Sequence, residues 1–383
     1  MKERLKPKIV FVTNICPHYA TRLFELLARK YDINFYFTGG HESYWEKKNK
    51  LCLGEFKGQY LGGVFLWPGF KITFKLFALF GQGMGVVIKT IDDKFALPLV
   101  FLIARIRRKP FILWTGLWHH PETLVHKISR FFTKAIYHYS DAIIVYGEHI
   151  KEYLTSLGVS REKIFIAPHA VNNDLFNRDV PVEGKQRLKS EIGLPQGKVI
   201  LYVGRLEKCK GLEYLIEALK GIRGDGFSMI FIGRGAMKDV FKEKCREYKL
   251  RHIFLGYIAN EELYRYYAIS DIFVLPSITT KNFKEPWGLV INEAMNQGCV
   301  VITTQAVGAA RGGLVQDQET GLIVPEKDRD ALQAAIETLL KDEVLLRTMG
   351  QAARERIKNW SQERMSEGFS RAINYVTQKR IET

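Results

Sequence analysis

The chain is poor in cysteine and has none in close pairs: Cys16, Cys52, Cys209, Cys245 and Cys299 are scattered, with no C-x-x-C unit among them. That argues against a disulfide framework or a structural zinc site and fits a reducing compartment. Long apolar runs are also missing. The segment Ile9 to Val12 is too short for a signal peptide or a membrane span, and the aromatic-rich FKITFKLFALFG at 70–81 is interrupted by Lys71 and Lys75. No low-complexity tract, solenoid-length repeat, H-E-x-x-H or Cys/His cluster is present. Acidic charge is in deficit, with 41 Asp plus Glu against 57 Lys plus Arg and a formal charge of +16. An anionic partner is expected: nucleic acid, an acidic lipid surface or a phosphorylated small molecule.

What is present is a repeated alternation of short apolar strands and longer helical segments. At 383 residues, 46% of them hydrophobic, the chain suits two domains of roughly 180 residues each. In the first half, IVFVT (9–13), INFYF (33–37), VFLW (64–67), VVIKT (86–90), FILWT (111–115), AIIVY (142–146) and IFIA (164–167) read as strands covered on both faces, hence a mostly parallel sheet. The stretch from Asn172 to Gly197 turns polar, with Pro181, Gly184 and Pro195, and reads as a linker carrying one short helix. The pattern then restarts with VILYVG (199–204), MIFIG (229–233), HIFLG (252–256), DIFVLP (271–276), CVVIT (299–303) and GLIV (321–324). Helices are expected at 211–220, 237–248, 260–269 and 288–297, with a helical tail that Asp328 and Ser361 are placed to cap. Two α/β units in series follow.

Open α/β sheets bind ligands beyond the carboxyl ends of their strands, and the notable residues sit there. Gly204 and Arg205 follow VILYV, and Lys210-Gly211 precedes an apolar helix. Glycine allows close approach and two cations face a helix start, so a phosphate or diphosphate is the economical ligand. Gly233 and Gly235 in FIGRGA form a similar turn, but Lys238 breaks the G-x-G-x-x-G fingerprint and leaves a dinucleotide site unsupported. In KNFKEPWGLVINEAMNQG (281–298), Pro286 and Gly288 keep Glu285 in a loop while Glu293 lies inside the helix. Two carboxylates also suit glycoside hydrolysis, but a neutral glycoside needs no phosphate clamp and a leaving nucleoside diphosphate does. In the first half, His119 and His120 follow FILWT and suit contact with a sugar hydroxyl, or shielding of developing positive charge by a backbone carbonyl, better than a metal pair. Asp92-Asp93 lacks the spaced acidic partner of a metal motif, so no metal is assigned.

GRLEKCKG (204–211), FIGRG (231–235), FLGYIANEEL (254–263), SDIFVLPS (270–277) and EPWGLVINEAMNQGCVVIT (285–303) together resemble the retaining glycosyltransferases of family 4, with Glu285 and Glu293 matching the E-x7-E element. The resemblance implies a GT-B fold: two Rossmann-like domains facing each other across a cleft, with C-terminal helices crossing back to the first. The implied division is an acceptor-binding domain at 1–178, a nucleotide-sugar-binding domain at 179–360 and a closing helix at 361–383. It further implies sugar transfer from a nucleotide diphosphate donor with retention, no cofactor and no essential metal. Arg205 and Lys210 would hold the diphosphate, Glu285 would stand beside the donor sugar, and Glu293 would hold the ribose. Gly288 and Leu289 would donate backbone N–H groups to the phosphates, the backbone near Ile258 would meet the base, and His119 would be the cleft histidine.

This chain departs from the family in two places. The first loop, NICPHYATRLFELL (14–27), has no glycine, and the hinge segment APHAVNNDLF (167–176) has His169, Ala170 and Asn172 where the family has Asn, Gly and Asp. A UDP-sugar is the commonest implied donor, with a GDP-sugar its competitor. The basic, aromatic segments RIRRKP (105–110) and SRFFTKAIYHY (129–139) suggest a lipid-linked or lipopolysaccharide glycan acceptor and contact with an acidic membrane from the cytoplasmic side. A soluble acceptor and a non-catalytic sugar-nucleotide-binding homologue are the alternatives. A glycan phosphorylase or an epimerase-like enzyme lacks its lysine context or carboxylate arrangement here, and a nucleic-acid binder leaves Glu285 and Glu293 unexplained.

Overall fold

A computed structural model describes residues 7–39, 54–67, 70–81, 85–91, 95–122, 124–222 and 226–379; the Asp92-Asp93 pair lies outside them. The chain divides into two compact units, Met1–His169 with Gln362–Thr383, and Ala170–Ser361.

The first unit is built on β1 (Lys8–Thr13), β2 (Asp32–Phe37), β3 (Gly58–Tyr60), β6 (Val86–Thr90), β7 (Phe111–Thr115), β8 (Ala142–Val145) and β9 (Ile164–Ile166). All pair in parallel in the order β3-β2-β1-β6-β7-β8-β9. The residues of β7 and β8 are buried without interruption, as a strand covered on both faces requires. One face is covered by α1 (Thr21–Lys30) and the last helix, α14 (Gln362–Lys379). Phe369 of α14 lies 6.0 Å from Phe11 and 5.2 Å from Trp114, ring to ring. The chain's last helix is therefore core to its first unit, and truncating such an aromatic costs about 3–5 kcal/mol. The other face is covered by α2 (Ala96–Ile106), α3 (Leu124–Tyr139), α4 (Glu148–Ser156) and a 3-10 segment at Phe74–Gly81.

Two local expectations change. VFLW, read as a strand of the parallel sheet, forms β4 (Val64–Trp67) of a separate antiparallel hairpin with β5 (Phe70–Ile72). Its place at the sheet edge is taken by Gly58–Tyr60, three residues too short and too polar to stand out by pattern. The tail, read as two helical segments, forms three helices, because within the first segment the Asp342 carboxylate accepts the N–H of Leu345 and starts a new helix at Glu343.

The second unit has a six-stranded parallel sheet of β10 (Lys198–Val203), β11 (Phe227–Ile232), β12 (His252–Leu255), β13 (Ile272–Leu275), β14 (Val300–Thr304) and β15 (Gly321–Val324). Its order is β12-β11-β10-β13-β14-β15, the doubly wound arrangement whose direction reverses between β10 and β13. The helices are α5 (Asn173–Phe176), α6 (Val182–Glu191), α7 (Leu212–Gly221), α8 (Lys238–Glu247), α9 (Asn260–Ala268), α10 (Leu289–Asn296), α11 (Gly308–Arg311), α12 (Arg329–Lys341) and α13 (Glu343–Ile357). Asp328 caps α12, accepting from Asp330 and Ala331. Among the described residues no helix is long and apolar enough to cross a membrane.

Candidate functional site

The point where the second sheet reverses is built by two loops, one after β10 and one after β13. Gly211 draws them together. It sits at φ 68°, and a Cβ there would lie 2.0 Å from the carbonyl oxygen of Pro276, so only glycine lets the start of α7 meet the end of β13. The Ile278 N–H then donates to the Cys209 carbonyl at 3.0 Å. With the backbones laced, Lys210 is carried inward and is buried.

Lys210 makes an ion pair with the carboxylate of Glu285, itself buried. The Ser277 hydroxyl donates to the same Glu285 oxygen at 3.0 Å, and the Lys210 ammonium stands 5.0 Å from the Phe283 ring centroid. A buried pair of this kind contributes orientation more than stability, and removing one partner strands the other's charge. Glu285 is held from behind: its backbone bridges to Val307, and its carbonyl accepts the Gly308 N–H at 3.1 Å. Trp287 is anchored by its indole N–H to Asn292 at 2.8 Å. Gly288 then occupies the N-cap of α10, where no side chain caps the first turn. Leu289 opens that helix, whose first N–H groups and positive dipole end favour an anion.

Glu293 lies one turn further along α10. It is buried, and its carboxylate accepts the Tyr267 hydroxyl at 2.7 Å. Burial pushes its carboxyl up to about 7, against the tyrosine's hydrogen bond, which pulls the other way. Arg205 follows β10 with its carbonyl held by the Tyr202 hydroxyl at 2.7 Å; its half-exposed guanidinium reaches Glu207 at 3.0 Å. Gly233, at the end of β11, backs onto Gly204: a Cβ on it would lie 1.9 Å from the Gly204 carbonyl. This close approach accounts for that glycine whatever the ligand. Ile258 is half-buried in the loop after β12. The second unit thus places Gly204, Arg205, Lys210, Gly233, Ile258, Glu285, Gly288 and Leu289 at the carboxyl end of one sheet.

Sequence reasoning passed over the residues that hold these in place. Ser277 was visible only as the end of an apolar strand, and Tyr267 as one aromatic in a helix. Glu326 is a third: it accepts the Thr279 hydroxyl at 2.8 Å and the Thr279 N–H, tying the loop after β13 to the one after β15. No spacing links positions 47 residues apart.

His119 belongs to the first unit, in the loop after β7, with Nε2 buried and without a hydrogen-bond partner among the described residues. His169, the departure in the hinge segment, is buried with its ring 4.0 Å from that of Tyr146. Burial pushes its imidazole down to about 3, which keeps it neutral. Among the described residues no group of three or more His, Cys, Asp or Glu side chains is placed to hold a metal ion.

The two doubly wound units define a protein of GT-B architecture. The comparisons place it further. Residues 185–356 match the family described as Glycosyl transferases group 1, and the chain is related to that family. An uncharacterized glycosyltransferase of Methanocaldococcus jannaschii is 27% identical over 232 residues, which cover 59% of this chain and 57% of the relative's own length. The GDP-mannose-dependent alpha-(1-6)-phosphatidylinositol monomannoside mannosyltransferase of Mycobacterium tuberculosis is 26% identical over 276 residues, 70% of this chain and 71% of that one. The crystal structure of Anabaena HepE in complex with UDP shares the fold with a TM-score of 0.76 at 17% identity, covering 96% of this chain and 99% of that chain.

Proposed function

We propose that the protein is a retaining glycosyltransferase that moves a sugar from a nucleoside diphosphate donor to a hydroxyl of a glycan or lipid-linked acceptor in cell-envelope synthesis. The observation that carries this reading is the buried Lys210–Glu285 pair at the reversal point of a doubly wound sheet, beside an uncapped helix start. In this reading Arg205, Lys210 and the N–H groups from Gly288 and Leu289 take the charge that develops on the departing diphosphate. Glu285 stands beside the donor sugar, Glu293 holds the ribose and the backbone near Ile258 meets the base. The bond between the anomeric carbon and the phosphate oxygen breaks, the acceptor oxygen bonds to that carbon on the same face, and the acceptor's proton passes to the leaving phosphate. His119 is assigned to a sugar hydroxyl.

A uridine diphosphate sugar is the first donor to test. The mycobacterial relative's GDP-mannose supports a guanosine diphosphate sugar as the second. Purified protein is offered a donor panel without added metal and then with a chelator, while nucleoside diphosphate release is followed and the product's anomeric configuration is read by NMR. Release from one donor, unaffected by chelation and giving an axial product from an axial donor, is expected. An inverted product overturns retention; neither release nor saturable binding with any donor overturns the donor assignment.

A further inference from the structure

The carboxyl ends of the first unit's strands carry Thr13, Thr90 and, just after β7, His119. β7 is five residues long, so its amino end lies about 16 Å from that edge. There α2 ends and the chain turns into β7. The backbone N–H groups of Arg107, Arg108 and Lys109 close the helix end, donating to the carbonyls of Ile103, Arg105 and Ala104 at 3.0, 3.0 and 2.8 Å. Arg108 takes φ 50°, the left-handed conformation that commonly ends a helix. Backbone alone thus serves this helix end, and the side chains of Arg108 and Lys109 are not spent on capping it. Neither has a hydrogen-bond or ion-pair partner among the described residues.

α2 and α14 cover opposite faces of the sheet, and the last turn of α14 meets the α2–β7 turn at the sheet's amino end. Between them lies a cavity of about 490 Å³, the size of a small-molecule pocket. Arg105, Arg108 and Lys109 line it from one side and Lys379 from the other. The one carboxylate on its wall, Asp141, is already taken by Arg105 and by the Phe111 N–H at 2.7 Å. The cations crowd one another: burial pushes the nearby Lys163 ammonium down, Asp141 opposes this, and Lys379 and Arg105 add to it. An anion in the cavity would relieve that crowding, and guanidinium and ammonium groups suit phosphate oxygens. Cations on two facing walls call for two anionic groups, and a single phosphate leaves most of the volume empty. A nucleic acid or a bilayer would need the cations spread over a surface, whereas these converge on a concavity.

We propose that the cavity between the α2–β7 turn and the last turn of α14 binds a soluble small molecule carrying at least two phosphate groups, at the end of the sheet opposite the strand ends of the proposed reaction. The probe is inorganic tripolyphosphate, and the readout is lysine acetylation of the full chain, mapped by mass spectrometry. Tripolyphosphate is expected to slow acetylation of Lys109 and Lys379 at least fivefold and to leave Lys242 and Lys249 of the second unit unchanged. Orthophosphate is expected to need at least tenfold more for the same protection. In R108Q/K109Q, protection of Lys379 should need at least tenfold more tripolyphosphate, with circular dichroism and Tm unchanged. K242Q/K249Q removes the same charge from the second unit and should behave as wild type. A donor clamp would itself take a polyphosphate, so the experiment is repeated in Lys210→Ala, where protection of Lys109 and Lys379 should persist whatever becomes of the donor assignment. The proposal is overturned if tripolyphosphate leaves Lys109 and Lys379 unprotected, or if orthophosphate serves as well. Equal protection of Lys242 and Lys249 also overturns it, because the effect would then be general screening. So does protection by phosphatidylglycerol vesicles without protection by tripolyphosphate, which would assign the cavity to a lipid headgroup.

Discussion

The two units repeat one plan and differ in what they hang on it. Each has a parallel sheet whose order turns about a central pair of strands, β1 and β6 in the first, β10 and β13 in the second. Each secures a strand start with an aspartate from the next strand's approach: Asp141 takes the Phe111 N–H, and Asp271 takes the Val199 N–H, both at 2.7 Å. At the reversal point they part. The second unit presents a buried ion pair and a buried carboxylate, whereas the first presents hydroxyls, Thr90 to Thr13 at 3.1 Å. The position of a site is therefore a property of the fold, and its chemistry a property of a few strand-end side chains.

The two units are expected to differ most when the buried ion pair is removed from the second. Lys210→Ala leaves Glu285 buried without its cation and, in the proposed reaction, removes a donor to the leaving diphosphate. Turnover of the best donor is expected to fall about 10²- to 10³-fold, measured as nucleoside diphosphate release with folding checked by circular dichroism. Thr90→Val, at the equivalent point of the first unit, is expected to change donor turnover less than tenfold. Equal losses in the two would mean that the asymmetry read here does not govern the reaction.

A smaller effect separates backbone from surroundings. Gly211 and Gly62 have nearly the same φ, 68° and 66°, but a Cβ on Gly62 meets nothing within 4 Å while one on Gly211 strikes the Pro276 carbonyl. Alanine at Gly62 should cost only the left-handed backbone penalty, about 1–2 kcal/mol. Alanine at Gly211 adds the clash and should cost more, seen as a lower Tm, and should also weaken donor binding. If the two variants lose the same stability, the lacing of the β10 and β13 loops is not set by that contact.

The legible part of this protein was the part in which one residue type has one use. Apolar runs such as VILYV and FILWT specify strands buried on both faces, and four helices of the second unit fall within two residues of the spans read from pattern alone. Arg205 and Lys210 stood out as cations in the loop after a strand, and Gly288 and Glu293 as a glycine at the start of a helix and a carboxylate inside it. The strand order was not legible, because hydrogen bonding between β10 and β13 joins segments some seventy residues apart and no local pattern encodes it. Nor was Ser277 or Glu326, whose roles exist only once the chain has folded their partners beside them. VFLW misled because a short apolar run suits a hairpin as well as a sheet.

The last and smallest effect lies in Glu293. Its carboxyl titrates at about 7 in the folded protein against an ordinary 4.5, so between those values the folded state holds a proton that the unfolded chain has released. Its contribution to stability is full below about 4.5 and is lost as pH rises through about 7. Glu293→Gln keeps an acceptor for the Tyr267 hydroxyl but cannot ionise. Wild-type Tm should therefore fall, relative to the variant, by a few degrees between about pH 5 and pH 8. A ribose whose hydroxyls donate to Glu293 would favour the ionised form, so donor binding would release a proton. Donor affinity should then rise with pH through about 7 in wild type and stay flat in Glu293→Gln, whatever happens to Lys210. If the Tm difference appears while affinity is flat in both proteins, Glu293 is a buried acid of the α10 wall and the ribose lies elsewhere.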